Sequence, residues 1–302
     1  MSPTPRPLAY STNGFTTRPL AEALEVIAAC GYAGVELLGD RPHWAPRGAA
    51  ARHAHVSALS PVDRRLRPLS AAEVRRALSD AGLWVSSVNG NTAMLCWPEE
   101  LPEVCFEPAL SSPHAAVRQR RLEVVFELLE WAAEVGAPRV SVTSGRCPGG
   151  CPPGEGLAYL AESLSVLCER AVSLGLQLSV EYEPGLLVER SDELAALIAR
   201  VGHAALGANL DLGHARCAGE DPHVAIRRLA GRIWSVHLED ILGVKHYHLV
   251  PGEGDMDLRG YVGSLDAVGF AGPLTVELYT CAGEGDALAA RRAIEGLRRV
   301  GI

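Results

Sequence analysis

One arrangement recurs along the whole chain: a stretch with helical spacing of apolar residues, then a glycine, then a short apolar strand. A glycine just past a helix accepts the left-handed backbone that ends it, so each repeat reads as helix, stop, strand. The unit occurs at Gly31 before Gly34-Val35-Glu36-Leu37, at Gly82 before residues 83–89, and at Gly136 before 138–143. It returns at Gly175 before 176–181, at Gly202 before 205–211, and at Gly269 before 273–277. Residues 8–12 and 232–237 complete eight expected strands. Strands that alternate with helices make a parallel sheet, and no break in composition divides the chain, so the expectation is one domain over residues 1–302, a closed (β/α)8 TIM barrel. Helix-to-strand joins are short, whereas strand-to-helix joins are long, at 39–69, 90–113, 144–154 and 238–257. The long loops therefore fall on the C-terminal face, where barrels of this kind carry their active sites. Helix starts are marked by Ser70-Ala-Ala-Glu73, a capping-box pattern, and by Thr17 ahead of Pro19.

Side chains alternate across a strand, so the apolar set shows which side faces the helices. In the fifth strand Leu176, Leu178 and Val180 point out, which leaves Gln177, Ser179 and Glu181 pointing in. In the sixth, Leu206, Ala208 and Leu210 point out, against Gly207, Asn209 and Asp211. The seventh sets Trp234, Val236 and Leu238 against Ser235 and His237, and the eighth sets Leu274, Val276 and Leu278 against Thr275 and Glu277. Each inward series thus ends in a side chain that can hold a metal. Carboxylates crowded into one barrel mouth repel each other and lose hydration unless a cation joins them. Glu181, Asp211, His237 and Glu277 form a hard, mostly oxygen set that suits one divalent ion, Mn²⁺ first, with Mg²⁺, Co²⁺ or Zn²⁺ as further fits. Glu36 ends the second strand and is expected at the mouth, while Lys245, His246 and His248 lie in the loop after the seventh strand, where they could orient a hydroxyl or phosphate.

The balance of residues narrows the partners. An apolar share of 48% with 21% charged residues describes a chain that buries a core, and a net charge of −8 disfavours a surface built for nucleic acid. Residues 1–7 lack the apolar centre of a secretion signal and no stretch is long enough to cross a bilayer, so the expected setting is cytoplasmic, without membrane contact. Eight scattered cysteines read as reduced thiols, with Cys147 and Cys151 as the one close pair. Trp44 and Trp97 in the long loops read either as lid or subunit-contact material, with a homo-oligomer as one possible state, or equally as local packing.

The chain resembles the sugar phosphate isomerase/epimerase superfamily of xylose isomerase-like TIM barrels. The motifs that carry the resemblance are Gly31-Tyr-Ala-Gly-Val-Glu36-Leu37, Val180-Glu181-Tyr-Glu-Pro-Gly185, Asn209-Leu-Asp211-Leu-Gly-His214, Val236-His237-Leu-Glu-Asp240, Pro251-Gly-Glu-Gly254 and Thr275-Val-Glu277-Leu-Tyr279. The resemblance implies a metal on Glu181, Asp211, His237 and Glu277. It further implies that Glu181 and Glu277 are the acid-base pair, moving a proton through an enediolate of a small sugar, sugar phosphate or cyclitol. It makes His214 a ligand of a substrate oxygen, with His248, Lys245 and Glu36 as further substrate contacts. A dehydratase of the inosose or 3-dehydroshikimate kind would use the same first proton abstraction, and a barrel that only binds a metabolite is the third alternative. The chain departs from ketose 3-epimerases at Gly243, where they carry an arginine, and at Leu187, where they carry a glutamate. It departs from the endonuclease IV branch at Asn89, the inward end of the third strand, although His43, His53, His55, His246 and His248 are present.

Overall fold

A computed structural model of the chain describes residues 6–55, 66–98, 104–147, 149–283 and 285–302. Eight parallel strands close a barrel: β1 (Leu8–Ser11), β2 (Gly34–Leu38), β3 (Trp84–Asn89), β4 (Arg139–Thr143), β5 (Gln177–Glu181), β6 (Leu206–Asp211), β7 (Ile233–Leu238) and β10 (Leu274–Val276). The remaining pair, β8 (Asp240–Leu242) and β9 (Lys245–Leu249), forms an antiparallel hairpin outside the barrel. Closure is direct, since β1 pairs with β2 on one side and with β10 on the other. Around the barrel lie α1 (Leu20–Cys30), α2 (Ala71–Ala81), α3 (Ala115–Val135), α4 (Pro153–Ser173), α5 (Ser191–Val201), α6 (Leu212–Cys217), α7 (Pro222–Arg228), α8 (Leu258–Ala267) and α9 (Asp286–Arg299). The (β/α)8 expectation is met, and every barrel strand lies where the sequence pattern puts it, give or take a residue at the ends.

The outward apolar sets are the core. Leu178, Val180, Leu206, Ala208, Leu210, Val236, Leu238, Leu274, Val276 and Leu278 are fully buried against the helices. The opposite phase fills the barrel with small hydroxyls, including Ser141, Ser179 and Thr275, and these carry no bulk at the mouth. Space is therefore left at the C-terminal end for the longer side chains that cap each inward series. Four helices, α1, α2, α3 and α5, end on a glycine in the left-handed region, as the repeat requires.

Two local expectations need correction. Thr17 caps nothing: α1 takes Pro19 as its N-cap without a side-chain bond, because proline already sets the backbone angle there. The capping box at Ser70 and Glu73 is formed as expected, with Ser70 Oγ accepting from the Glu73 amide at 3.2 Å. The 238–257 loop contains the β8–β9 hairpin, turned at Gly243, which adopts φ +65°. Of the two readings of the loop tryptophans, local packing fits Trp44, which is buried against Trp131, while the half-buried Trp97 donates through Nε1 to the Glu107 carbonyl at 2.6 Å. Cys147 and Cys151 are both free thiols. No helix among the described residues is long and apolar enough to span a membrane.

Candidate active site

β5, β6, β7 and β10 deliver Glu181, Asp211, His237 and Glu277 to one point at the barrel mouth. One ligand atom from each lies within 4.8 Å of all the others, and all four residues are buried. The His237 ring is fixed by Glu36, whose Oε2 stands 3.0 Å from Nε2. A carboxylate in that position accepts a hydrogen bond from Nε2–H, and Nδ1 faces Glu181 at 3.3 Å, Glu277 at 3.4 Å and Asp211 at 3.7 Å. Nδ1 of His237 and Oδ2 of Asp211 have no hydrogen-bond partner although both are buried. The other oxygen of Asp211 accepts the His214 amide at 2.6 Å and so caps α6.

Two asparagines serve each glutamate. Glu181 Oε2 accepts from Asn91 at 2.8 Å and from Asn209. Glu277 Oε1 accepts from Asn13 at 2.6 Å and from Asn89 at 3.0 Å. Asn89 and Asn209 were legible as inward positions on their strands. Asn13 and Asn91 sit just beyond β1 and β3, where no periodicity marks them.

The electrostatics follow from burial and crowding. Burial alone would raise the Glu277 carboxyl, but the charge of His237 beside it, helped by His248, brings it down to about 2. Asp211 is likewise held well below the usual carboxylate range by His214 and His237 against the cost of burial. Glu181 goes the other way: burial raises it more than His237 lowers it. Burial would lower His237, yet Glu277, Glu36 and Glu181 keep it protonated well above 6.5. The field that holds a proton there would hold a dication in its place.

A cavity of about 570 Å³ opens over this point, lined on the polar side by Glu181, Glu277, His214, His246 and His248, and elsewhere by Leu38, Met94, Phe106 and Tyr279. His214 reaches the cavity as expected; its Nδ1 lies 3.0 Å from the Tyr182 carbonyl. Its pKa is raised to about 9 because Asp211, Glu183 and Glu181 together outweigh burial. His248 is also in place, held by the Glu277 carbonyl at 2.9 Å. Two expected substrate contacts are elsewhere. Lys245 is exposed on β9 and does not line the cavity, because strand alternation turns His246 and His248 inward and Lys245 and Tyr247 outward. Glu36 is fully buried beneath His237, bonded to Ser87 at 2.7 Å and Asn89 at 3.3 Å, so it orients a ring instead of meeting substrate.

His246 takes the place left by Lys245. Glu183 also lines the cavity, raised to about 8 by burial, with Glu181 and Glu277 adding to the rise and His214 opposing it. Its parity with Glu181 was the signal in the sequence that could have found it.

Comparison with known proteins agrees with the barrel fold. Fructoselysine 3-epimerase of Escherichia coli O157:H7 is 26% identical over 291 residues, covering 95% of each chain. A 3-dehydroshikimate dehydratase of Pseudomonas aeruginosa is 30% identical over 92% of this chain, which spans 39% of that longer protein. The solved structure of 3-keto-D-glucoside 4-epimerase from E. coli superposes with a TM-score of 0.75 at 18% identity, over 98% of this chain and all of that one. The family model described as xylose isomerase-like TIM barrel matches residues 24–300, and the chain belongs to that family.

Proposed function

We propose that the protein is a divalent-metal-dependent epimerase or isomerase of a small polyol, a sugar, sugar phosphate or cyclitol, with Glu181 and Glu277 as its proton-transfer pair. The observation that carries this reading is the convergence of four buried ligand atoms within 4.8 Å, two of them, His237 Nδ1 and Asp211 Oδ2, left without any hydrogen bond. Buried polar atoms are almost always paired, so a pair of orphans facing each other fits a cation. Three carboxylates and one imidazole suit Mn²⁺ best, with Mg²⁺, Co²⁺ and Zn²⁺ also compatible.

When bound, such an ion supplies Lewis-acid polarisation of a carbonyl and a neighbouring hydroxyl, which acidifies the C–H between them. The rest is the work of side chains. Both glutamates line the cavity, and each has one oxygen fixed by two asparagine amides, so the carboxyl plane is set before substrate arrives. One glutamate removes the proton and the other returns one. Return to the opposite face of the same carbon gives an epimer; return to the adjacent carbon gives an isomer. His214 and His248 project from the same wall, where a substrate hydroxyl would meet them.

The similarity to a dehydratase over 92% of the chain favours one second reading, in which the same abstraction is followed by loss of a β-hydroxyl. Both readings are tested by incubating metal-loaded enzyme with candidate ketoses in D₂O. Wild type is expected to place deuterium on substrate carbon, and Glu181→Gln or Glu277→Gln to lower the exchange at least ~100-fold, the lower end for a general acid-base group. Mass spectrometry of the product separates epimer from dehydrated product. Near wild-type exchange in both variants would remove the glutamates from the mechanism.

A further inference from the structure

The barrel has another concavity on the face opposite the mouth. Arg139 begins β4 and Gln177 begins β5, side by side in register, and both share the inward parity of Ser141 and Glu181 further along their strands. Gln177 and Glu181 stand at the two ends of β5, about 13 Å apart at the rise of an extended chain. The floor of the barrel is thus a place apart from the acidic centre. A cavity of about 270 Å³ opens there, lined by Arg139, Gln177, Trp234, Phe270, Ala271 and Gly272 among others.

Arg139 is half-buried, and its one hydrogen bond among the described residues runs from Nη1 to the Trp234 carbonyl at 2.6 Å, crossing from β4 to β7. That bond leaves the other edge of the guanidinium unused. Nε is buried with no partner, and Nη2 beside it donates to nothing among the described residues. Nε–H and one N–H of Nη2 point the same way in the planar group, and on that edge arginine holds a carboxylate or phosphate by two parallel bonds. Burial pulls the Arg139 pKa down, and no acidic group stands close enough to oppose it. Further donors line the same cavity. The Gln177 side chain makes no hydrogen bond, and the amides of Ala271 and Gly272 have no acceptor, among the described residues. Trp234 Nε1, by contrast, is engaged by the Ala205 carbonyl at 3.2 Å, so its indole is a fixed wall. A sequestered cation without a counter-charge is costly, and a cavity of free donors beside it is complementary to an anion.

We propose that the floor of the barrel binds a small oxyanion, the carboxylate or phosphate of a metabolite of a few carbons. The anion lies on the Nε–Nη2 edge of Arg139, with Gln177 beside it and Trp234 and Phe270 as walls. The site is independent of the metal centre and of the reaction at the mouth. An occupant neutralises Arg139 and joins the starts of β4 and β5 to the turn before β10, so it stabilises the native state by mass action.

Full-length protein stripped of metal by a chelator is titrated with inorganic phosphate at constant ionic strength, with tryptophan fluorescence and the thermal midpoint as readouts. Wild type is expected to give a saturable fluorescence change and a midpoint that rises with occupancy. Trp234→Phe is expected to abolish the fluorescence change; a change that persists there places the anion elsewhere and overturns the site. Arg139→Lys keeps the charge but loses the fork, and is expected to raise the half-saturating concentration at least ~10-fold, the loss of one charge-assisted hydrogen bond. A parallel titration with acetate distinguishes the two sources, since the tighter of the two anions marks the class of ligand. The site is also overturned by wild-type affinity in Arg139→Lys, by an equal response to sodium chloride at matched ionic strength, or by no saturable response to either anion. If Arg139→Lys fails to fold, Gln177→Leu replaces it, because that change removes a donor and leaves the Arg139–Trp234 bond in place. Weaker phosphate binding is then expected, and unchanged affinity overturns the site.

Discussion

His237 is the residue on which most of the site's geometry converges. Its ring is turned by Glu36, which Ser87 and Asn89 hold in turn, so the direction of Nδ1 is fixed two contacts deep into the barrel. A carboxylate behind a ligating histidine sets the tautomer and raises the basicity of the other nitrogen. Glu36→Gln keeps the volume but loses the charge, and it is expected to weaken Mn²⁺ affinity ~10–100-fold without unfolding the protein, as titration calorimetry beside circular dichroism would show. Unchanged affinity would mean that Glu36 is structural only. Glu36 was legible as a mouth residue because its parity is right, but not as a support for His237. That role depends on how β2, β3 and β7 face one another across the barrel, a distance of 201 residues along the chain.

At the scale of elements, the β8–β9 hairpin is the part that sequence reasoning read only as loop. Its alternation is brief, and the single Gly243 turn is a weak signal beside the long apolar runs of the barrel strands. The consequence is an error at Lys245, which the loop reading groups with His246 and His248, since a loop has no parity and a strand does. The hairpin is anchored at its base by Asp240, which accepts from the amides of Ile241 at 3.0 Å, Gly252 at 2.8 Å and Met256 at 3.2 Å. Asp240→Ala would strip the buried Ile241 amide and the part-buried Gly252 and Met256 amides of their acceptor and is expected to cost about 1–3 kcal/mol in urea denaturation. Because His246 and His248 ride on β9, the same variant should also raise KM for any polyol substrate that is turned over. A variant with wild-type stability and KM would show that the hairpin is held by other contacts.

Across the whole molecule, what the sequence displayed was periodicity. Outward apolar sets and glycine stops define eight parallel strands, and the same phases put four ligands at one end, because a barrel brings the ends of its strands together. What stayed hidden was what is fixed by approach across the mouth: the amides of Asn13 and Asn91 that hold Glu277 and Glu181. Such contacts join positions far apart in the chain and leave no local pattern.

Mutual repulsion among the buried carboxylates makes cation binding a folding term as well as a catalytic one, since a ligand that binds only the native state stabilises it by mass action. The most direct measurement is calorimetric titration of Mn²⁺ into chelator-stripped wild type, set beside the Asp211→Asn/His237→Gln variant. Saturable binding of at least one equivalent in wild type and none in the variant is the expected result, with a thermal midpoint that rises on loading only in wild type. Wild-type protein that binds no Mn²⁺ at saturating concentration, or a variant that binds it equally well, would contradict a metal centre at the ends of β5, β6, β7 and β10.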